Sequence, residues 1–226
     1  MAHTGDLTLE AKRKIIIFSS GRGSNALNIV NYVNQFCHNL EVVCLMCNVE
    51  DAPVIQLMNT KNIPVEVVSS LGLKRDIHEK KVIETLSKYD VDWIVLAGYM
   101  RVLGEDLLNA YSNIINIHPS VLPLYPGLNS YKTSFENKDE YSGATIHFVD
   151  SGVDTGPIIM QKKFPRLKSD SFDQFRRRGL ENEYELFRVF LSVLNKNETK
   201  VDDLIKNFSR SSTRVHTENR SITKEL

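Results

Sequence analysis

With 226 residues, 42% hydrophobic and 25% charged, the chain has the composition of one ordinary globular domain, which argues against a disordered, collagen-like or disulfide-scaffold protein. Its 28 Lys and Arg balance 28 Asp and Glu, so it lacks the basic excess of an electrostatically driven nucleic-acid binder. The longest apolar runs are about five residues, too short to cross a bilayer. The opening MAHTGDLTLEAKRK has no apolar signal core.

Strands and helices alternate along the first half. A β-branched run at 14–19 (KIIIFS) predicts a buried strand. A Gly-rich turn and a helix at 25–36 follow. Residues 41–47 predict the next strand and 52–62 a helix, with Pro53 suited to its first turn. A short strand at 64–68 precedes a charged helix at 74–88, with Ile77, Val82, Ile83 and Leu86 on one side. A fourth strand at 92–97, a short helix at 105–111 and a fifth strand at 113–117 complete the series. This alternation predicts an α/β fold with a mostly parallel sheet.

Beyond residue 118 the pattern changes. Pro119, Pro123 and Pro126 forbid a regular element in 118–130. Residues 143–149 and 157–164 predict two strands joined by the turn DSGVDTG, hence an antiparallel edge. A long helix is expected over 171–194, with Gly179 a weak point in it. One domain at 14–196 is therefore expected, with an extension at 1–13 and a polar tail at 197–226.

The cysteines are Cys37, Cys44 and Cys47. An odd number without a signal segment suggests free thiols in a reducing, cytoplasmic setting. Cys44 and Cys47 lie in one strand, and residues three apart there point to opposite faces, so a joint metal site is not expected.

Four segments could carry chemistry. In SSGRGSN (19–25) the glycines stand between a strand and a helix. Backbone N–H groups and the helix dipole there suit a phosphate monoester; the alternative is a tight turn capped by Ser24 or Asn25. Gly21, Gly23 and Ala26 match a dinucleotide fingerprint, yet the second strand ends in Cys47-Asn48 without the acidic residue that NAD binding wants. Asn116 and His118 alternate by two at a strand end, so both can face one developing oxyanion; a packed histidine and a turn asparagine is the alternative. Asp154 either caps its Gly-rich turn or meets His118 in space, and His147 reads as a packed strand residue. Residues 162–178 carry seven basic and two acidic side chains, either a solvated face or an RNA or phosphate patch.

Three blocks then become specific: IVLAGYMRVLG (94–104), NIHPSVLPLYPG (116–127) and GATIHFVDSGVDTGPIIMQ (143–161). In this order and spacing they resemble the folate-dependent formyltransferases, most of all those acting on phosphoribosylglycinamide. The likeness runs from Lys14 to about Leu194. Neither the C-terminal β-domain of methionyl-tRNA formyltransferases nor the N-terminal regulatory domain of formyltetrahydrofolate deformylases is expected here. Amino-sugar nucleotide N-formyltransferases share Asn-x-His and are the nearest rival, but the GRGSN loop suits a small phosphate monoester.

The resemblance implies a Rossmann-like sheet with an antiparallel extension. It implies transfer of the formyl group of N10-formyltetrahydrofolate, a cosubstrate, to the amine of 5-phosphoribosylglycinamide, without a metal. Asn116, His118 and Asp154 would be catalytic. Gly23, Ser24, Asn25 and Glu183 would hold the ribonucleotide. Arg75, Met100, Arg101, Val102, Leu103, Asn116, Asp150, Ser151, Gly152, Val153 and Asp154 would hold the folate. The partners would be small molecules, the enzyme a monomer or homodimer. Where the family reads His-Thr-His this chain has Asn129-Ser130-Tyr131. Where the family reads Glu-His and later Pro, it has Glu183-Tyr184 and Arg188.

Overall fold

The computed structural model describes residues 11–196. Five strands lie parallel: β1 (Arg13–Ser19), β2 (Leu40–Cys47), β3 (Val65–Val67), β4 (Trp93–Leu96) and β5 (Ile114–His118). Helices α1 (Ser24–Phe36), α2 (Pro53–Asn59), α3 (Arg75–Leu86) and α4 (Glu105–Ala110) make the crossovers. Helix α5 (Ser130–Glu136) leads into β6 (Tyr141–Phe148) and β7 (Ile158–Pro165), both antiparallel to their neighbours. The chain then enters α6 (Phe172–Asn195). The sheet order is β3-β2-β1-β4-β5-β6-β7.

Both faces of the central strands are covered, which is why they read as continuous apolar runs. Ile15 and Ile17 face a layer built by Ala26 and Ile29 of α1, Met58 of α2 and Phe187 and Phe190 of α6. Ile16 and Phe18 face the other layer, with Val82 and Leu86 of α3 and Leu107 of α4. Cys47 belongs to the first layer and Cys44 to the second, so the two thiols diverge as strand geometry requires.

Two expectations need correction. Helix α3 does not bury Ile77, which is 45% exposed. It buries His78 and Glu79 instead, because each has a backbone partner: the His78 ring bonds the Val68 carbonyl at 2.9 Å and Glu79 accepts from the Gly104 N–H at 2.6 Å. Helix α5 was not foreseen. Its sequence SYKTSFE has no apolar period, and it docks through an aromatic contact instead: Phe135 meets Phe172 at 5.6 Å and Phe175 at 5.4 Å.

Strand order turns back on either side of β1, since β2 and β4 both flank it. In such sheets the crevice for a ligand lies beyond the carboxyl ends of the strands at that switch point. The segments after β1, β4 and β5 all open there.

Candidate active site

The cavity beyond those strand ends measures about 890 Å³. One end is lined by Gly23, Ser24, Asn25, Tyr131, Arg176 and Glu183, the other by Met100 to Leu103, Leu128 and the turn with Asp150, Gly152 and Val153. Asn116, His118, His147 and Asp154 stand in its wall. Arg75 begins α3, and neither it nor Ser151 is among the lining residues.

At the first end, Gly23 starts α1 at φ +76, and a Cβ there would come within 2.3 Å of Val54. Glycine is therefore demanded at this point. At Gly21, which lines the cavity, a Cβ would meet no atom of the chain within 4 Å. No side chain caps α1. Ser24 and Asn25 are thus not caps, and the helix terminus keeps the donor character that suits an anion. Where a dinucleotide site wants an acid, Asn48 is buried and occupied: it accepts from Ser20 Oγ at 2.5 Å and donates to Ser70 Oγ at 3.1 Å. Ser20 Oγ also accepts from the Met100 N–H at 2.8 Å, which ties the loop after β1 to the loop after β4.

In the middle, Asp154 collects the polar groups. Its Oδ2 lies 3.1 Å from His118 Nδ1 and accepts from the Gly127 N–H at 2.7 Å. Its Oδ1 accepts from Asn116 Nδ2 at 3.3 Å and lies 3.6 Å from His147 Nε2. The turn itself is capped by Asp150, which accepts from the Gly152 N–H and the Thr155 hydroxyl. Asp154 stands at φ 55 and reaches out of the turn, so the turn-cap reading falls to its neighbour.

His118 is buried, and both ring nitrogens face acceptors: Nε2 meets the Tyr125 carbonyl at 2.7 Å, with the Ser130 hydroxyl at 3.1 Å, and Nδ1 meets Asp154. Burial pulls its pKa below the ordinary value, against the Tyr125 carbonyl and the Asp154 charge, which favour the imidazolium. For Asp154, burial raises the pKa, but the His147 contact, the Gly127 N–H and the His118 charge outweigh it and leave the carboxyl below its ordinary range.

The strand pattern predicts His147 as a packed strand residue. It is buried, but it pairs with Asn116 across β5 and β6. Its Nε2 lies 3.2 Å from Asn116 Nδ2, and its Nδ1 lies 2.7 Å from the Phe148 carbonyl. The signal that could find it is register: an antiparallel partner on β6 faces the site only once the hairpin fixes which residue opposes Asn116. The Tyr125 carbonyl and the Gly127 N–H carry no side-chain signature at all.

Of the seven basic residues of 162–178, four have partners or places elsewhere, while Lys163, Lys168 and Arg177 are exposed. Lys162 pairs with Glu185 and Arg178 with Asp170. The Arg166 guanidinium sits 4.8 Å from the Phe135 ring centroid, and Arg176 lines the cavity. Among the described residues, no cluster of three or more His, Cys, Asp or Glu could hold a metal ion, and no helix is long and apolar enough to cross a membrane.

The family model described as formyl transferase matches residues 13–191. The chain belongs to the formyl transferase family. It is similar to the phosphoribosylglycinamide formyltransferase of Bacillus subtilis, with 34% identity over 192 residues, 82% of this chain and 98% of that protein. The protein of that name from Escherichia coli K12 is 32% identical over 180 residues, covering 79% of this chain and 85% of its own length. Among solved structures, the phosphoribosylglycinamide formyltransferase of Bacillus halodurans superposes with a TM-score of 0.78 at 34% identity, covering 83% of this chain and 98% of its own. The mostly parallel sheet, its antiparallel edge and the long last helix are thus the fold of a formyl transferase.

The departures from the family pattern now have places. Tyr131 donates to Glu183 Oε1 at 2.8 Å. Tyr184 and Arg188 turn to α1: Asn28 donates to the Tyr184 carbonyl and accepts from Arg188, each at 3.3 Å. Neither lines the cavity of this formyl transferase.

Proposed function

We propose that the enzyme transfers the formyl group of N10-formyltetrahydrofolate to the amine of 5-phosphoribosylglycinamide. The observation that carries this reading is the convergence of Asn116, His118 and His147 on one carboxylate, Asp154, beside an uncapped helix terminus in the same cavity. The names of the relatives support formyl transfer and the same acceptor.

The acceptor's phosphate lies on Gly23, Ser24 and Asn25, where backbone donors and the helix dipole meet it. Glu183 meets the ribonucleotide at the same end. The folate lies between Met100–Leu103 and the turn of Asp150 to Asp154, against the exposed apolar surfaces of Met100, Val102 and Val153. The neutral amine attacks the formyl carbon, and the carbonyl electrons move to its oxygen. Asn116 and the imidazolium of His118 donate N–H bonds to that oxyanion, exchanging their present partners for it. Asp154 balances the imidazolium charge. The carbon–N10 bond then breaks as the attacking nitrogen loses a proton and N10 gains one, with His118 the acid of the site.

The test is a formyl-transfer assay run in parallel with phosphoribosylglycinamide and an amino-sugar nucleotide, using wild type and His118→Ala. Turnover with the first acceptor only, and its loss by more than about 10³-fold in the folded variant, is expected. Turnover with the sugar nucleotide alone removes the acceptor assignment, and near-normal turnover of His118→Ala removes the mechanism.

A further inference from the structure

Glu183 is buried on α6 with both carboxylate oxygens held from other helices. Asn25 of α1 donates to Oε2 at 2.6 Å, and the Tyr131 hydroxyl of α5 donates to Oε1 at 2.8 Å. The phenol ring is itself fixed. It packs edge-on against Phe164 and Phe175, at 6.2 Å from each. Its far end lies on Gly179, one helical turn before Glu183. A Cβ at Gly179 would fall 2.5 Å from the Tyr131 Cζ and 2.8 Å from its hydroxyl oxygen. That glycine sits inside a helix, where it costs stability relative to alanine, and the three side-chain atoms nearest to a methyl group there all belong to Tyr131.

We propose that Tyr131, seated on Gly179, is a positioning residue that holds the Glu183 carboxylate ionised and oriented toward the acceptor substrate. The proposal rests on the reading that Glu183 meets the acceptor. The chemistry is directional. A phenol that donates to a carboxylate stabilises its charged form, whereas burial opposes it. Burial leaves the Glu183 pKa above the ordinary carboxylate value, with Asn25, Tyr131 and the Arg176 charge acting against it. These three are the groups that face it from α1, α5 and α6. Removing the hydroxyl takes away a donor that favours the charged form, so at any given pH a smaller fraction of Glu183 is ionised. Acceptor affinity should then fall with it, while the folate, at the other end of the cavity, is unaffected.

The test compares Tyr131→Phe, Gly179→Ala and Glu183→Gln with wild type, using whichever acceptor the wild type formylates. Tyr131→Phe keeps the ring and its packing. It should raise the acceptor KM about tenfold at pH 7 and more at pH 6, the size expected for one hydrogen bond to a charged group, with the folate KM unchanged. Carboxyl carbon NMR of the substrate-free protein should show Glu183, assigned by its absence in Glu183→Gln, titrating higher in Tyr131→Phe. Gly179→Ala should raise the acceptor KM in the same way, by displacing the ring. If Gly179 served the helix alone, alanine would raise the Tm and leave the kinetics as they were; that result overturns the seat. A Glu183→Gln variant that loses acceptor affinity while Tyr131→Phe keeps wild-type KM, pH profile and carboxyl titration overturns the proposal and leaves the role of Glu183 standing. An unchanged acceptor KM in Glu183→Gln overturns both.

Discussion

Asp154 shows how little a single residue means apart from its neighbours. In the sequence it is one of two aspartates in a Gly-rich turn. In the fold, Asp150 takes the capping bonds and Asp154 holds His118 and Asn116. Asp154→Asn keeps the shape and removes the charge. The His118 pKa, already lowered by burial, should drop further, each unit weakening the charged form by about 1.4 kcal/mol. Because the imidazolium then disappears at lower pH, the basic limb of the pH–rate profile should move to lower pH, and kcat should fall at least about 10²-fold. The titration of His118 by NMR beside kcat measures both; an unmoved titration with normal kcat returns Asp154 to a turn residue. At the other end of the cavity, Ser24→Asp puts a negative charge where the phosphate belongs. It should raise the acceptor KM by at least about tenfold, a loss of 1.4 kcal/mol or more, and spare the folate KM. Steady-state kinetics with each substrate varied in turn separate the two.

Among the elements, α6 carries the most. It contributes Phe187, Phe190 and Leu191 to the core and Arg176 and Glu183 to the cavity. Its start is defined by a reciprocal cap: Ser171 Oγ accepts from the Gln174 N–H, and Gln174 Oε1 accepts from the Ser171 N–H at 2.9 Å. The sequence carries that signal in S-F-D-Q. Ser171→Ala should cost about 1 kcal/mol and lower the Tm by about 2–4 °C, measured by thermal melting. Its kcat should remain at the wild-type level, because Glu183 lies three turns along the helix. Helix α5 is the contrary case. Nothing periodic announces it, and it exists because Phe135 finds Phe172 and Phe175 of α6, beyond the whole β6–β7 hairpin in sequence, a contact that only the folded chain supplies.

At the scale of the whole molecule, the sheet is a plane on which two layers lean. Phe190 is fully buried and meets Trp93 of β4 edge-on at 5.8 Å. Phe190→Ala should cost about 3–5 kcal/mol by opening a cavity between α6 and the sheet. In urea denaturation the midpoint should fall while the slope stays constant; a shift equivalent to less than about 1 kcal/mol would mean that α6 collapses to fill the space. The same layering explains the site. Loops after β1, β4 and β5 share one edge because the strands run parallel; β6 runs antiparallel to β5, with Phe148 opposite Ile115, and the β6–β7 turn reaches the site through Asp154, which meets His118, Asn116 and the Gly127 N–H.

What the sequence determined by itself was the alternation of strands and helices, the Gly-rich turn before α1, the Asn-x-His strand end and the family. These are local properties: β-branched runs, a glycine at positive φ, two side chains spaced by two. The resemblance pointed to Asp154 as the partner of His118, but the folded chain alone decided that Asp150 takes the capping bonds of the turn, that His147 faces Asn116, and that Tyr131, Gly179 and Glu183 form one contact. Such pairings depend on register and on the approach of segments 31 to 52 residues apart. No window of the sequence contains them, because the energy that selects them is the packing of the sheet and α6 as a whole.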